Sequence, residues 1–491
     1  MSASKDKKLR KDQLAAGIVD KKTEAAMKEA KEHRKTRITY SIVAVVLVIV
    51  FAFVFLYNSS WPSRHLTAVT IDGESYTAAQ VNYYYSASYL NFCNTYSDYV
   101  SAGLFFDTTK TLAEQEYTEG MSWRDYFLET AVQSMTEIQV LCNAAEADGF
   151  VLPEEYEEQY AQTVANFQTG WEAYGYSSLE QYISLTYGKG VSMELLEQEL
   201  YRNYIASAYS EYVFNGYDYT TQELDDYYAE HIDELDLITY TYVSATDGSL
   251  DADAIAAAVN GTDEETFVSY MAENYEDEAP STLTYAGASL SEVYAQWLLD
   301  GAREPGDAEA FETETGGSYA VMFLGRDDNS YNTVSFRHIL LNAVDADGDG
   351  AYSEEEKALA ESDAEALLAE WQAGAATEDS FAELAMENSD DTGSSATGGL
   401  YENVYQNAMV EPVNDWLFAA DRAPGDTGVV SYDGHYTGSH ILYFVGADDM
   451  TYAQFQADSA LRNEAYSSWL AELKEGIEPQ TANLILCGKN H

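Results

Sequence analysis

Residues 237–449 write one pattern twice, and a duplicated pattern restricts this stretch to two successive units of one topology. In the first copy Trp297-Leu298-Leu299 precedes Arg303-Glu304-Pro305-Gly306-Asp307; in the second, Trp416-Leu417-Phe418 precedes Arg422-Ala423-Pro424-Gly425-Asp426. Each copy opens on a strand-like run, Thr239–Val243 and Ser335–Ile339. Each closes on a short apolar strand before paired aspartates, Met322–Gly325 with Asp327-Asp328 and Tyr443–Gly446 with Asp448-Asp449. In the first copy Tyr242 and Tyr319 stand where the second has His338 and His440. A polar pair present in only one copy points to one working site and one scaffold.

Ahead of this repeat, charge divides the chain. Residues 1–37 hold 12 Lys and Arg against 6 Asp and Glu, a net of +6. The rest holds 13 basic and 78 acidic residues, a net of −65. Between them, residues 38–57 are uncharged and almost wholly apolar. About 20 such residues span a hydrocarbon core of about 30 Å. Lys31, Arg34, Lys35 and Arg37 place the preceding end in the cytoplasm by the positive-inside rule. The run exceeds the usual apolar core of a cleaved signal, about 7–15 residues, and no small-x-small site follows it. It reads as a single-pass anchor, with residues 1–37 a basic cytoplasmic tail and the bulk of the chain outside the cytoplasmic membrane. So acidic an exterior repels nucleic acid and anionic headgroups. Cys93, Cys142 and Cys487 are too few and too scattered for a disulfide framework or a zinc site.

Past the anchor, Val69-Thr70-Ile71 runs into the Asp72-Gly73 turn, and Thr77 is placed to cap a helix starting at Ala78. Tyrosine-rich helical segments fill 60–230, their tyrosines at core and boundary spacing. After the repeats, 451–475 reads as a helix and Ala482–Leu486 as a strand. Both are expected to return to the N-terminal region.

In the second copy, 333–449, the strand Ser335–Leu341 sends His338 and Arg337 to opposite faces. Then come a helix near 353–373, Phe381-Ala382-Glu383-Leu384-Ala385, Ser389-Asp390-Asp391, the Gly398-Gly399 turn, Met409, and Gly438-Ser439-His440-Ile441. This ordered set resembles the parvulin-type peptidyl-prolyl isomerases. With the anchor, the helical N-terminal region and the returning helix, the exterior resembles the PrsA/SurA class of extracytoplasmic foldases.

The resemblance implies an α+β fold: a transmembrane helix, a helical SurA/PrsA-like domain (60–230 with 451–491) and two tandem parvulin-like domains. The first of these, 237–328, is degenerate. It implies that His338 and His440 pair at the centre of the site, that Asp391 stands beside the substrate carbonyl, and that Met409 helps grip the proline ring. Tyr401, Val413 and Phe418 complete the apolar contacts, with Tyr401 in place of the family's leucine and Val413 in place of its phenylalanine. Such catalysis needs no cofactor, because rotation about an X–Pro bond faces only amide resonance and a catalyst has to favour the twisted amide. The implied partners are unfolded, proline-containing polypeptides. A non-catalytic holdase and a structural envelope protein are the competing readings.

One motif stands apart from that chemistry. Residues 345–356 match the EF-hand loop D-x-D-x-D-G-x5-E at every defining position. Asp345, Asp347 and Asp349 would supply carboxylates, Ala351 a carbonyl, Ser353 a water-mediated ligand and Glu356 a bidentate carboxylate. The expectation is a structural calcium ion rather than a catalytic one; a plain Asp/Gly turn is the bland alternative.

Overall fold

The computed structural model describes residues 3–17, 21–245, 249–275, 278–313 and 316–490. The chain falls into two compact units, 1–216 with 466–491 and 217–465.

In the first unit one helix, Lys21–Asn58, continues from the basic segment through the apolar one. Its Glu24–Ala52 stretch is long and apolar enough to cross a membrane, which fits either an anchor or a signal sequence. Thr67–Ile71 and Glu74–Thr77 form a hairpin whose turn uses Asp72 and Gly73 at φ 50° and 82°. Thr77 caps helix Ala78–Thr95 in a capping box with Gln80, as its position predicts. Tyr83, Tyr84 and Tyr85 of this helix are buried beside Phe127 and Leu196. A second core, built on Val140, Leu141, Ala206 and Tyr209, receives Leu470, Tyr466 and Trp469 from the last helix, Tyr452–Lys474. The C-terminal helix therefore does return to the N-terminal helices.

Two boundaries differ from expectation. Helix Thr221–Glu230 belongs to the second unit, where Tyr228 donates to Asp236 and to the Asp328 carbonyl. The final strand is Gln480–Thr481, paired with Thr70 and Val69, and Leu484–Leu486 is a single 3₁₀ turn. Asn483 causes the change: its side-chain amide donates to the Thr67 carbonyl at 2.7 Å, and its own carbonyl accepts from Leu486 N–H, which closes a turn. All three cysteines are free thiols.

The second unit holds two sheets of identical order. In the first repeat β1 (Leu237–Ala245), β2 (Ser281–Ala286), β3 (Ala308–Glu312) and β4 (Ser318–Asp327) lie 2-1-4-3, all antiparallel. In the second, β5 (Asn332–Asn342), β6 (Leu400–Val404), β7 (Thr427–Asp433) and β8 (Thr437–Thr451) lie 6-5-8-7. The repeated Arg-x-Pro-Gly-Asp turn does the same work twice. Gly306 and Gly425 donate to the carbonyls of Phe323 and Phe444, and those residues donate back to Asp307 and Asp426. Each arginine lies over its tryptophan, Arg303 on Trp297 at 5.1 Å and Arg422 on Trp416 at 3.7 Å. Each turn so fastens the loop to the sheet.

Side-chain alternation gives the second sheet two different faces. Ile339 and Ile441, directly paired, pack under α1 (Glu354–Ala373) and α2 (Glu378–Asn388) with Trp371, Phe381 and Ala385. Phe336, Leu442 and Phe444 point the other way, onto α3 (Glu411–Leu417) through Val413 and Leu417. His338 and His440 lie on that second face.

Candidate active site

Register brings the histidines together. His338 pairs with Leu442 and His440 with Leu340, so the two histidines are diagonal neighbours on one face. His338 Nε2 lies 2.7 Å from His440 Nδ1, with the rings stacked at 4.8 Å. In the first repeat Tyr242 pairs with Val321 and Tyr319 with Ser244, the same diagonal. There Tyr240, Tyr294 and Phe311 pack around the pair, Tyr240 within 3.3 Å of the Tyr294 hydroxyl. Phenol rings occupy in one copy the place that imidazoles hold in the other.

Asp391 reaches His338 because the edge of β5 is held beyond the end of β6. Gly399 O accepts from His338 N–H at 2.8 Å, and Ser389 Oγ accepts from Leu340 N–H at 3.1 Å. Asp390 then donates to the Leu340 carbonyl, and its carboxylate accepts from Asn342 N–H. This clip sets Asp391 Oδ2 3.4 Å from His338 Nδ1. The same oxygen accepts from Ser394 Oγ at 2.6 Å and Tyr401 Oη at 2.8 Å, while Oδ1 accepts from Gly393 N–H. At the other end Tyr436 Oη lies 3.2 Å from His440 Nε2.

Electrostatics orders the protons along this chain. Burial drives both imidazoles toward the neutral form, His440 down to about 4, and the Asp391 charge offsets this only in part. Burial alone would raise the Asp391 carboxyl, but donors from Ser394, Tyr401 and Gly393 and the nearby His338 outweigh it, and it lies below its ordinary value. A carboxylate facing His338 Nδ1 requires the proton on that nitrogen. His338 Nε2 then accepts from His440 Nδ1–H, and His440 Nε2 accepts from the Tyr436 hydroxyl. Every proton in the series points toward Asp391.

A cavity of about 260 Å³ opens on this chain. His338, His440, Asp391 and Tyr436 line its polar side; Phe336, Leu340, Ala408, Met409, Val410 and Val413 line its apolar side, and Tyr401 joins the two. Tyr401 stacks on Phe336 at 5.4 Å and turns its hydroxyl to Asp391, so it is more than an apolar substitute for leucine. The structure thus gathers His338, His440, Asp391, Met409, Tyr401 and Val413. Phe418 is not among the lining residues; it follows the end of α3, packs edge-on to Tyr331 at 6.0 Å and supports the core behind the cavity that includes Val413 and Leu417. Tyr436, the last residue of the β7–β8 turn and four before His440, joins the site without being singled out by the sequence; an aromatic hydroxyl at that spacing is its only sequence signal.

The acidic loop lies outside this cavity. The carboxylate oxygens of Asp345, Asp347 and Asp349 lie within 4.8 Å of one another. The Asp345 carboxylate accepts from Gly350, Gly348 and Asp349 N–H, and these bonds hold it below its ordinary value. Glu356 forms the capping box of α1 with Ser353 and also accepts from Ala346 N–H. Ala351 N–H donates to the Asp349 carboxylate at 2.8 Å.

A four-stranded antiparallel sheet with two helices on one face and a buried histidine pair beside an apolar cavity on the other defines a parvulin-like domain. Residues 320–443 match the family of PPIC-type PPIase domains, and the chain carries a parvulin-type peptidyl-prolyl isomerase domain there. Solved structures similar to the chain include a peptidyl-prolyl isomerase PrsA from Bacillus anthracis, at 18% identity over 30% of this chain and 61% of that one, TM-score 0.20. A PrsA from Bacillus cereus aligns at 14% identity over 58% of this chain and 85% of its own, TM-score 0.19. The foldase protein PrsA from Streptococcus pneumoniae aligns at 10% identity over 73% and 90%, TM-score 0.25. No curated protein matches the chain.

Proposed function

We propose that residues 333–449 isomerise X–Pro bonds in unfolded polypeptides, and that the chain acts as a foldase held by its N-terminal helix on the outer face of the cytoplasmic membrane. The cavity carries the proposal. Its Met409–Val413 side suits a prolyl ring, and its polar side places an ordered set of hydrogen-bonding groups beside the amide that must twist. A twisted amide has lost conjugation, so its carbonyl and nitrogen respond more strongly to fixed dipoles than the planar amide does. No bond to the enzyme is needed.

The test is cis-to-trans relaxation of a proline tetrapeptide with the full chain in detergent micelles. Replacing His338 and His440 together by alanine removes both partners of the 2.7 Å contact, so neither imidazole is left without the other. The double variant should lose at least about tenfold in kcat/KM with its circular dichroism unchanged. No acceleration by the well-folded wild type would favour a holdase.

Calcium at 345–356 belongs to the same proposal, as a structural tie between β5 and α1. Three converging aspartates and two glycines at positive φ, Gly348 and Gly350, support it. Titration calorimetry should show one site with Kd of about 10⁻⁴–10⁻³ M, the range of extracellular modules. Asp345→Asn should abolish that heat; an unchanged heat would place the ion elsewhere.

A further inference from the structure

The isomerase domain carries 3 Lys and Arg against 24 Asp and Glu over residues 333–449, a net of −21. Its few cations are engaged. Arg337 binds Glu378, Lys357 binds Glu354 and Asp433, and Arg422 binds Asp426. The same holds across the whole unit 217–465, where the remaining cations are Arg303, Arg326 and Arg462. Arg303 meets Asp300 and Asp307, Arg326 meets Asp233 and Asp236, and Arg462 meets Asp458.

The cavity concentrates this imbalance. Asp391 is the one charged side chain lining it. Neighbouring segments add exposed carboxylates next in sequence to lining residues, Asp390 after Leu340's partner Ser389 and before Asp391, Glu402 after Tyr401 and Glu411 after Val410, without lining the cavity themselves. Arg337 lies between the lining residues Phe336 and His338 in sequence, but strand alternation sends it to the helix face, where it donates to Glu378 and to the Thr397 and Gly398 carbonyls. No cation of the unit is left to balance the carboxylates around the cavity.

We infer that this site selects prolines preceded or followed by lysine or arginine and rejects those flanked by acidic or phosphorylated residues. The inference rests on the isomerase reading and adds the substrate class to it. With the prolyl ring on the apolar side and the X–Pro carbonyl at Asp391, the flanking side chains leave the cavity beside Asp391, in the field of a domain with a net charge of −21. A basic side chain there meets several carboxylates within about one Debye length, roughly 10 Å at 0.1 M salt, and an acidic one meets only repulsion. Attraction of this kind also raises encounter rates, and salt weakens it.

The experiment compares Ala-Lys-Pro-Phe, Ala-Ala-Pro-Phe and Ala-Glu-Pro-Phe as substrates and as ligands of the full chain in non-ionic micelles. At 20 mM NaCl, kcat/KM should favour Lys over Glu by about tenfold, and at 500 mM by no more than about threefold. Glu402→Gln with Glu411→Gln should shrink the low-salt ratio while leaving Ala-Ala-Pro-Phe turnover unchanged. Equal rates for the three peptides, or a ratio indifferent to both salt and the double substitution, would overturn the inference. If no peptide is accelerated, the isomerase reading falls, and binding of the same peptides decides the rest. Tighter binding of the Lys peptide that weakens with salt sustains charge selection by a holdase; equal binding ends it.

Discussion

Replacing Gly399 with alanine should cost the isomerase domain about 3–5 kcal/mol and disassemble its site with it. A Cβ on Gly399 would lie 2.1 Å from the His338 carbonyl oxygen and 3.0 Å from the His338 nitrogen, both backbone atoms that cannot swing aside. The position also has φ 71°, a left-handed conformation that costs an L-residue about 1–2 kcal/mol. Relief requires moving the 394–400 turn off β5. That breaks the bond from His338 N–H to Gly399 O and the bond from Gly399 N–H to Ser394 O. Ser394 and Tyr401, which hold Asp391, move with it. Gly261→Ala is the control, because φ there is 75° and nothing lies within 4 Å of its Cβ. Urea unfolding of the two variants of the full chain, followed by tryptophan fluorescence, separates steric overlap from backbone strain. Equal midpoints would refute the close approach of Gly399 to β5.

The Gly398-Gly399 pair was visible in the sequence as a turn, but its consequence was not. A glycine pair announces permissive φ; only the register of β6 on β5 shows that the second glycine abuts the strand that carries His338. The same limit applies to the two tyrosines. Alternation along Ser335–Leu341 is enough to set His338 opposite Arg337, and the duplicated motif is enough to align Tyr319 with His440. Tyr436 and Tyr401 meet His440 and Asp391 through the shape of a hairpin turn and the reach of a long side chain, and neither has a sequence period. Phe418 shows the converse. Its apolar character suited a pocket, yet α3 ends one residue earlier and directs it to Tyr331. At the C-terminus, Ala482–Leu486 reads as a strand, and one side-chain amide, Asn483, ends the pairing first.

Acidification should destabilise this domain already between pH 6.5 and about 4, and His440 should carry much of the effect. Burial holds its imidazole down to about 4, against an ordinary value of 6.5, and leaves it 3% exposed. Above pH 6.5 the histidine is neutral whether the chain is folded or not, and the shift has no consequence. Between pH 6.5 and about 4 the unfolded chain takes up a proton that the folded chain refuses, so stability falls as pH falls. The full difference is about 3 kcal/mol. His338, lowered by the same burial, acts in the same direction. Asp391 follows the same sign in a lower window: its stabilisation is intact above the ordinary carboxyl value of 3.8 and fades as pH drops through its depressed folded value. Acid also relieves the self-repulsion of a unit with so many carboxylates, which stabilises it. The difference between wild type and His440→Gln removes that common background, because glutamine retains polar contacts but does not titrate. Unfolding free energies at pH 7, 6, 5 and 4.5 should therefore converge for the two proteins as pH falls. Parallel curves would mean that His440 takes up its proton as readily in the folded chain as in the unfolded one, and in acid its Nε2 would then donate to the Tyr436 hydroxyl instead of accepting from it.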